Sequence, residues 1–407
     1  MNGKVQQTKY KIGFWNYVHT GKLDPVSAAD DWKELGANCT ISFDFHPDKH
    51  KTQDLMRSLD ACAARGIGLI IAHSEASAWH LKQVGRERYI ADLRRAADTF
   101  ARHPAFVGFH MCDEPSRADM PTVAEAVKIN LEMMPTSRPF VNFMCWWNDP
   151  GFCAANGATR SEYMQAIDAF VVESGIPMIG FDFYAQCAHL NRERGIDDFM
   201  TATHAFSDIA TKHGIELGDC PLCVGHWMYD TPDEDLLRWQ INASVAMGVT
   251  SMTYFMLYDH EVTSTFRLSP IDVFGNKTET FGRVARENRI FSTFYAPALE
   301  KLTWRGMTEY GERTYGDWAR FAGNDLLRSI SYVANPVTLA VAEFDDGKGN
   351  RSFAVVNLSQ TEPTVLQFDY DAEKLFLFPY NGTQLAPGAM LLLLNKATAF
   401  PPLRIVY

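Results

Sequence analysis

The sequence predicts a chain of the α/β class, built as a (β/α)8 barrel over residues 1–300 and a small β-sandwich over residues 301–407. Three observations carry that prediction. From residue 11 to about 260, short apolar runs rich in β-branched and aromatic residues alternate with helix-patterned segments, the signature of parallel βα units. Most of these runs are entered through a helix stop. Beyond residue 300 the helix patterns fade, and short strands separated by turn signals take over.

The expected barrel strands are KIGFWNYV (11–18), NCTISFDF (38–45), IGLIIAHS (67–74), AFVGFHMC (105–112), PFVNFMCW (139–146), PMIGFDFY (177–184), PLCVGHWM (221–228) and SMTYFMLY (251–258). Eight such units in about 250 residues match the size of a closed barrel. The stretches LGAN, ARGIG, ARHP, SRP, ESGIP and MGVT put Gly or Pro where a helix must end and a strand begin. Helix starts are marked too. Asp24-Pro25 places a capping acid before a first-turn proline, and Thr231-Pro232-Asp233-Glu234 adds a capping box to the same device. The second helix is expected to run from Pro232 to Met247 and stop at Gly248. A doubly wound sheet is the competing architecture, but it usually shows a Gly-rich phosphate turn after its first strand, and WNYVHTGKLD has no G-x-G-x-x-G. Past residue 300, LAVAEF, DDGKGN, RSFAVVNLS, TVLQFDY, KLFLFPYNG and APGAMLLLL read as the strands and turns of a sandwich.

Composition narrows the function classes. At 46% hydrophobic and 21% charged, the 407 residues have no apolar run long enough to span a bilayer. A net charge of −11 argues against nucleic acid as a partner, because phosphate backbones need clustered Lys and Arg. The eight cysteines are scattered through apolar runs, as reduced core thiols are. Cys220 and Cys223 form one C-x-x-C, which without a second pair or a nearby His-x-His reads as structural. No secretory signal is evident in MNGKVQQTKYKIGF, so a cytoplasmic protein is the expectation. A homo-oligomer remains open at this level.

In such barrels the C-terminal strand ends and the loops after them build the active site. Reading round the ring, those ends supply Trp15, Asn16 and His19; Asp44 and His46; His73 and Glu75; Asp113 and Glu114; Trp146 and Trp147; Asp182 and Tyr184; His226, Trp227 and Asp230; and Tyr254, Tyr258 and Asp259. Flat apolar faces beside carboxylates, with few cations, suit a polyhydroxylated ring whose C–H faces stack while its hydroxyls need acceptors. The expected substrate is therefore a carbohydrate. Trp15, Asp44, Asp113, Trp146, Tyr184, His226, Trp227, Tyr254 and Tyr258 are the candidate substrate contacts.

Glycosidic cleavage needs one carboxylic acid to protonate the leaving oxygen and a second carboxylate to attack or to activate water. Glu114, at the end of the fourth strand in GFHMCDEPS, is the candidate acid, its pKa raised by partial burial and by Asp113. Here the chain resembles the (β/α)8 glycoside hydrolases of the large retaining superfamily, with its fourth-strand Asn/Asp-Glu-Pro motif, and within it the β-galactosidase-like members. The resemblance runs through FVGFHMCDEP, MIGFDFY, TPDEDLLRWQINASVAMG, VTSMTYFMLYD, DVFGNKTETFGRVARENRIF and the terminal LAPGAMLLLL. It implies that Glu114 is the acid/base and that Asp113 stands where the family has a substrate-contacting Asn. It also implies a nucleophilic Glu ending the seventh strand, yet PLCVGHWMYD has only His226 and Asp230. Asp182, on the sixth strand beside Tyr184, is the preferred second carboxylate; Asp230 and Glu261 rank below it.

Plainer readings compete. Glu114 would be structural if paired with Arg117, and the tryptophans would be structural if they only cap the barrel core. A metal at Asp44 and His46 fails on company, since a metal-dependent barrel of this kind wants H-x-H on its first strand and WNYVHT has one His; neither metal nor cofactor is expected. Two functions remain: a glycoside hydrolase, or a carbohydrate-binding barrel that kept the pocket and lost its nucleophile.

Overall fold

The computed structural model describes residues 4–259, 265–379 and 382–403. Its eight parallel barrel strands are Lys11–Phe14 (β1), Cys39–Ile41 (β2), Gly68–Ile71 (β3), Phe106–Asp113 (β4), Phe140–Met144 (β5), Met178–Asp182 (β6), Glu216–Cys220 (β7) and Ser251–Tyr254 (β8). They neighbour one another in the order β1-β8-β7-β6-β5-β4-β3-β2. Side chains close the ring at the last seam. The Ile12 and Phe14 amides donate to Asn38 Oδ1 and Thr40 Oγ1, at 2.8 and 2.9 Å. That close approach requires glycine at position 13, where a Cβ would sit 2.1 Å from the Cys39 carbonyl oxygen.

Caps behave as their chemistry dictates. Asp24 accepts from the Ser27 amide to start helix Pro25–Glu34, with Pro25 in its first turn. The helix expected from Pro232 begins instead at Glu234 and runs to Ala246, because the Asp233 carboxylate takes the capping role by accepting from the Leu236 amide.

The seventh strand corrects the sequence reading. It is GluLeuGlyAspCys, 216–220, five residues before the expected PLCVGHWM. Its charges hid it. Glu216 meets Lys11 and Arg138 at 2.8 and 2.5 Å, and Asp219 is buried, accepting from Ser244 Oγ at 2.7 Å. The stretch taken for the strand lies above the barrel, where Gly225 and His226 pair antiparallel with Phe266 and Arg267.

After the barrel, strands Thr303–Tyr310 (β9), Leu327–Ala334 (β10), Leu339–Asp345 (β11), Arg351–Asn357 (β12), Thr364–Tyr370 (β13), Leu375–Phe378 (β14), Gln384–Leu385 (β15) and Met390–Asn395 (β16) form two antiparallel sheets, β9-β11-β12-β16-β14 and β10-β13-β15. Strand alternation sorts the larger sheet. Leu339, Val341, Phe353, Val355, Leu391 and Leu393 face the smaller sheet, while Ala340, Ala342, Ala354, Val356, Leu392 and Leu394 join the core of the barrel. Both faces are buried, so MLLLL reads as an unbroken apolar run. Among the described residues no helix is long and apolar enough to cross a membrane.

Candidate active site

The acids of GFHMCDEPS sit where β4 leaves the sheet. Asp113 is the last residue of the strand, and Glu114 follows with φ +46°, a left-handed backbone that costs a non-glycine residue about 1–3 kcal/mol and persists only when its surroundings enforce it. Asn142 on β5 supplies that enforcement. Its carbonyl accepts from the Glu114 amide at 2.8 Å, and its side-chain Nδ2 donates to Asp113 Oδ1 at 3.1 Å. One residue thus clamps both acids. Arg117 does not pair with Glu114; its amide caps onto Asn156 Oδ1 instead, and among the described residues Glu114 has no ion pair.

Glu114 and Asp182, the latter from the end of β6, both line a cavity of about 260 Å³, and their carboxyls lie close enough to perturb each other's ionisation. Two carboxyls this near disfavour ionising together. Burial, then the charges of Glu114 and Asp113, hold the Asp182 pKa far above the carboxylate range; burial and Asp113 raise Glu114 as well. Tyr184 Oη donates to Asp182 Oδ2 at 3.3 Å and also lies 3.5 Å from Cys220 Sγ. Cys220, the last residue of β7, thus lies beside the tyrosine that holds Asp182.

Aromatic rings wall the cavity. Trp15 packs edge-on to His110 and Phe140, with centroids at 5.0 and 6.0 Å. His226 stacks between Trp227 and Phe266, at 4.5 and 4.8 Å. Burial, then Arg267, keeps the His226 imidazole below its usual pKa. Trp227 holds φ +48° and is 67% exposed, so its indole stands at the rim. Among the described residues no lysine or arginine lines this cavity.

The structure thus brings Glu114, Asp182, Asp113, Trp15, Tyr184, His226 and Trp227 to one hollow and places four expected contacts elsewhere. Trp146 turns to the core and donates from Nε1 to the Gly157 carbonyl at 3.2 Å; its neighbour Trp147 lines the cavity instead. Tyr254 is fully buried on the outer side of β8, its hydroxyl on Asn288 Oδ1 at 2.8 Å. Tyr258 lines a different cavity, beside Asp31 and Ile271. Asp44 faces an adjoining chamber, where burial raises its pKa to about 6. Asp230 pairs with Arg192 at 3.1 Å, and Glu261 lies outside the described residues. Tyr17, Asn142, Tyr229 and Phe255 line the site without having been singled out for it, and Trp147, read as a strand-end residue but not as a contact, lines it too. Tyr17 stands two residues after Trp15, the strand period, and Asn142 is the lone polar residue in FVNFM; those were the available signals.

No protein-family model and no curated protein matches the sequence. Solved structures do resemble the fold. A GH5_18 protein from Streptomyces cattleya, in complex with GlcNAc, aligns with a TM-score of 0.52 at 11% identity, covering 70% of this chain and 82% of that one. A GH5_18 variant from Bifidobacterium longum, in complex with Manb1-4GlcNAc, gives 0.50 at 11% identity, covering 70% and 78%. The β-galactosidase of the psychrophilic Marinomonas ef1 gives 0.50 at 12% identity over 69% of this chain, which spans 59% of that enzyme's length. At such identities the likeness establishes a shared barrel, and chemistry has to be argued from the site.

Proposed function

We propose that this protein is a glycoside hydrolase whose Glu114–Asp182 carboxyl pair performs the acid and base steps. The observation that carries the reading is the pairing of two carboxyls, both held above the usual carboxylate range by burial and by each other's neighbourhood, in an aromatic-walled hollow at the barrel mouth that no described lysine or arginine lines. The folds it resembles include glycoside hydrolases, which supports the same reading.

The proton cycle closes on these two residues. The proton resting on Asp182 passes to Glu114, which faces the cavity and gives it to the glycosidic oxygen as the bond from that oxygen to the anomeric carbon breaks. Asp182, now ionised, takes a proton from the water that attacks the anomeric carbon, and the pair returns to its resting state. Either mechanism needs room between the carboxyls, roughly 6.5–9.5 Å to admit a water or roughly 5–5.5 Å for a double displacement. The substrate must therefore enter between them. Asp113 keeps both pKa values high, and the rings of Trp15, Tyr184 and Trp227 offer faces to the sugar.

Product release from a broad panel of α- and β-glycosides tests the reading: wild type turns over at least one, and Glu114→Gln abolishes the turnover while sugar binding persists. The second reading, a binding barrel without catalysis, is favoured by Cys220 at the end of β7. Wild-type protein that binds sugars yet releases no product would decide for it.

A further inference from the structure

The hollow around Glu114 shares one wall residue, Asp113, with a neighbouring cavity. On the far side of that residue a second chamber of about 600 Å³ opens over the ends of β2, β3 and β4, walled outside by helix Ala78–Val84, and Asp113 borders both spaces. Size makes the chamber relevant. At about 260 Å³ the catalytic hollow falls short of the roughly 300–1,000 Å³ of sites that enclose a small ligand, so it suits one sugar ring and leaves the rest of a longer substrate to find room elsewhere.

The chamber's walls carry the groups a hydroxylated ring needs. His73 is buried, and its Nδ1 accepts from the Glu75 amide at 3.2 Å, which puts the proton of the neutral ring on Nε2. Burial holds that ring neutral, with a pKa near 4, and among the described residues its Nε2–H has no protein acceptor. The Asp44 carboxylate accepts no hydrogen bond from the described protein and stands ready for hydroxyls. At the outer lip Trp79 leaves 37% of its surface open, with Lys82 Nζ 5.6 Å from the ring centroid. Donor, acceptor and flat apolar face are all present. Asp44, Asp48 and Asp113 line the space with Lys49, while the fourth acid, Glu75, is paired with Arg95 at 2.7 Å, so a carboxylated or sulfated sugar meets a surplus of acids there.

We propose that this chamber receives at least one further ring of the substrate, making the substrate an uncharged oligosaccharide that crosses Asp113 from the Glu114 hollow toward Trp79. The inference rests on the glycosidase reading for the first ring, but its test is separable from turnover.

Calorimetric titration of the Glu114→Gln protein with methyl glycosides of glucose, galactose, mannose and N-acetylglucosamine, and with their β-linked di- and trisaccharides, measures affinity against length. For the best series the trisaccharide binds at least tenfold more tightly than the monosaccharide, and Trp79→Ala, at a half-open surface position, brings that ratio close to one. Equal affinity at all lengths, an undiminished ratio in Trp79→Ala, no binding by any probe, or equally tight binding of oligouronates overturns the proposal. A retained length effect with no hydrolysis by wild type would sink the glycosidase reading alone; hydrolysis of simple glycosides without a length effect would sink this one alone.

Discussion

The barrel mouth and the seam between barrel and sandwich are both rich in rings and polar atoms, and they treat them in opposite ways. At the seam, Trp239 Nε1 donates to the Leu358 carbonyl at 2.8 Å, Asn242 Nδ2 to Gly388 at 2.9 Å and Tyr295 Oη to Met390 at 2.7 Å. Gly388, at φ +65°, lets the chain lie so close to Trp239 that a Cβ would fall 2.5 Å from that residue's backbone nitrogen. At the mouth, Asn142 Oδ1 and His226 Nδ1 are buried without a protein partner, three acids crowd together, and Glu114 and Trp227 hold left-handed backbones. Partnered donors stabilise a fold. Unmet groups, like charges and strain destabilise it, and they collect where a ligand's contacts can offset them.

Mutation can break this contrast. The largest effect belongs to the mouth: Asp182→Asn lowers the rate of glycoside hydrolysis by roughly 10²–10⁴-fold, the usual worth of a positioned acid or base. Its melting temperature stays level or rises, because a crowded ionisable group is gone. Near-normal rate would remove Asp182 from the chemistry, and a fall in melting temperature would mark it as structural. At the seam the signs reverse. Trp239→Ala costs about 3–5 kcal/mol in denaturant unfolding, while activity per folded molecule holds; a smaller loss would mean the seam is not a continuous core.

Two pH experiments sharpen the comparison. Asp219 lies under the mouth on β7, and burial raises its pKa to about 7 against about 3.9 in the unfolded chain. Between those values the unfolded state has released a proton that the native state keeps, so Asp219 makes stability fall as pH rises. Asp219→Asn should therefore narrow the difference in melting temperature between pH 5 and pH 8; an unchanged difference would show that Asp219 does not titrate in this range. The smallest effect is at Asp113, whose charge adds to burial in raising the carboxyls of both Glu114 and Asp182. Removing it in Asp113→Asn lowers their pKa values, and the alkaline limb of the kcat/KM profile moves to lower pH. A limb that stays put would mean the pair is tuned by burial alone.

How far the sequence could be read follows the same division. The barrel and sandwich were legible because helix stops and strand periods are local signals. The seventh strand was not, since Glu216 is paired with Lys11 and Arg138, far off in sequence, and Asp219 is hydrogen-bonded by Ser244, partners that no local pattern reveals. Glu114, Asp113 and Asp182 were legible as strand-end acids. Trp146 and Tyr254 failed on facing, because one position along a strand turns a side chain from the hollow to the helices behind it; Trp147 lines the site where Trp146 does not. The contact between Glu114 and Asp182 spans β4 and β6, and only the closed ring discloses it.

The double-faced sheet has one more consequence. Its alanines, valines and leucines on the barrel side lie against helix Glu234–Ala246, which carries Trp239. A version of this protein cut short near residue 300 would present that helix as a bare greasy strip to water, inviting self-association. The two halves therefore belong together in any preparation used for assay, and sticky behaviour of a trimmed barrel would report a missing cover rather than a faulty catalyst.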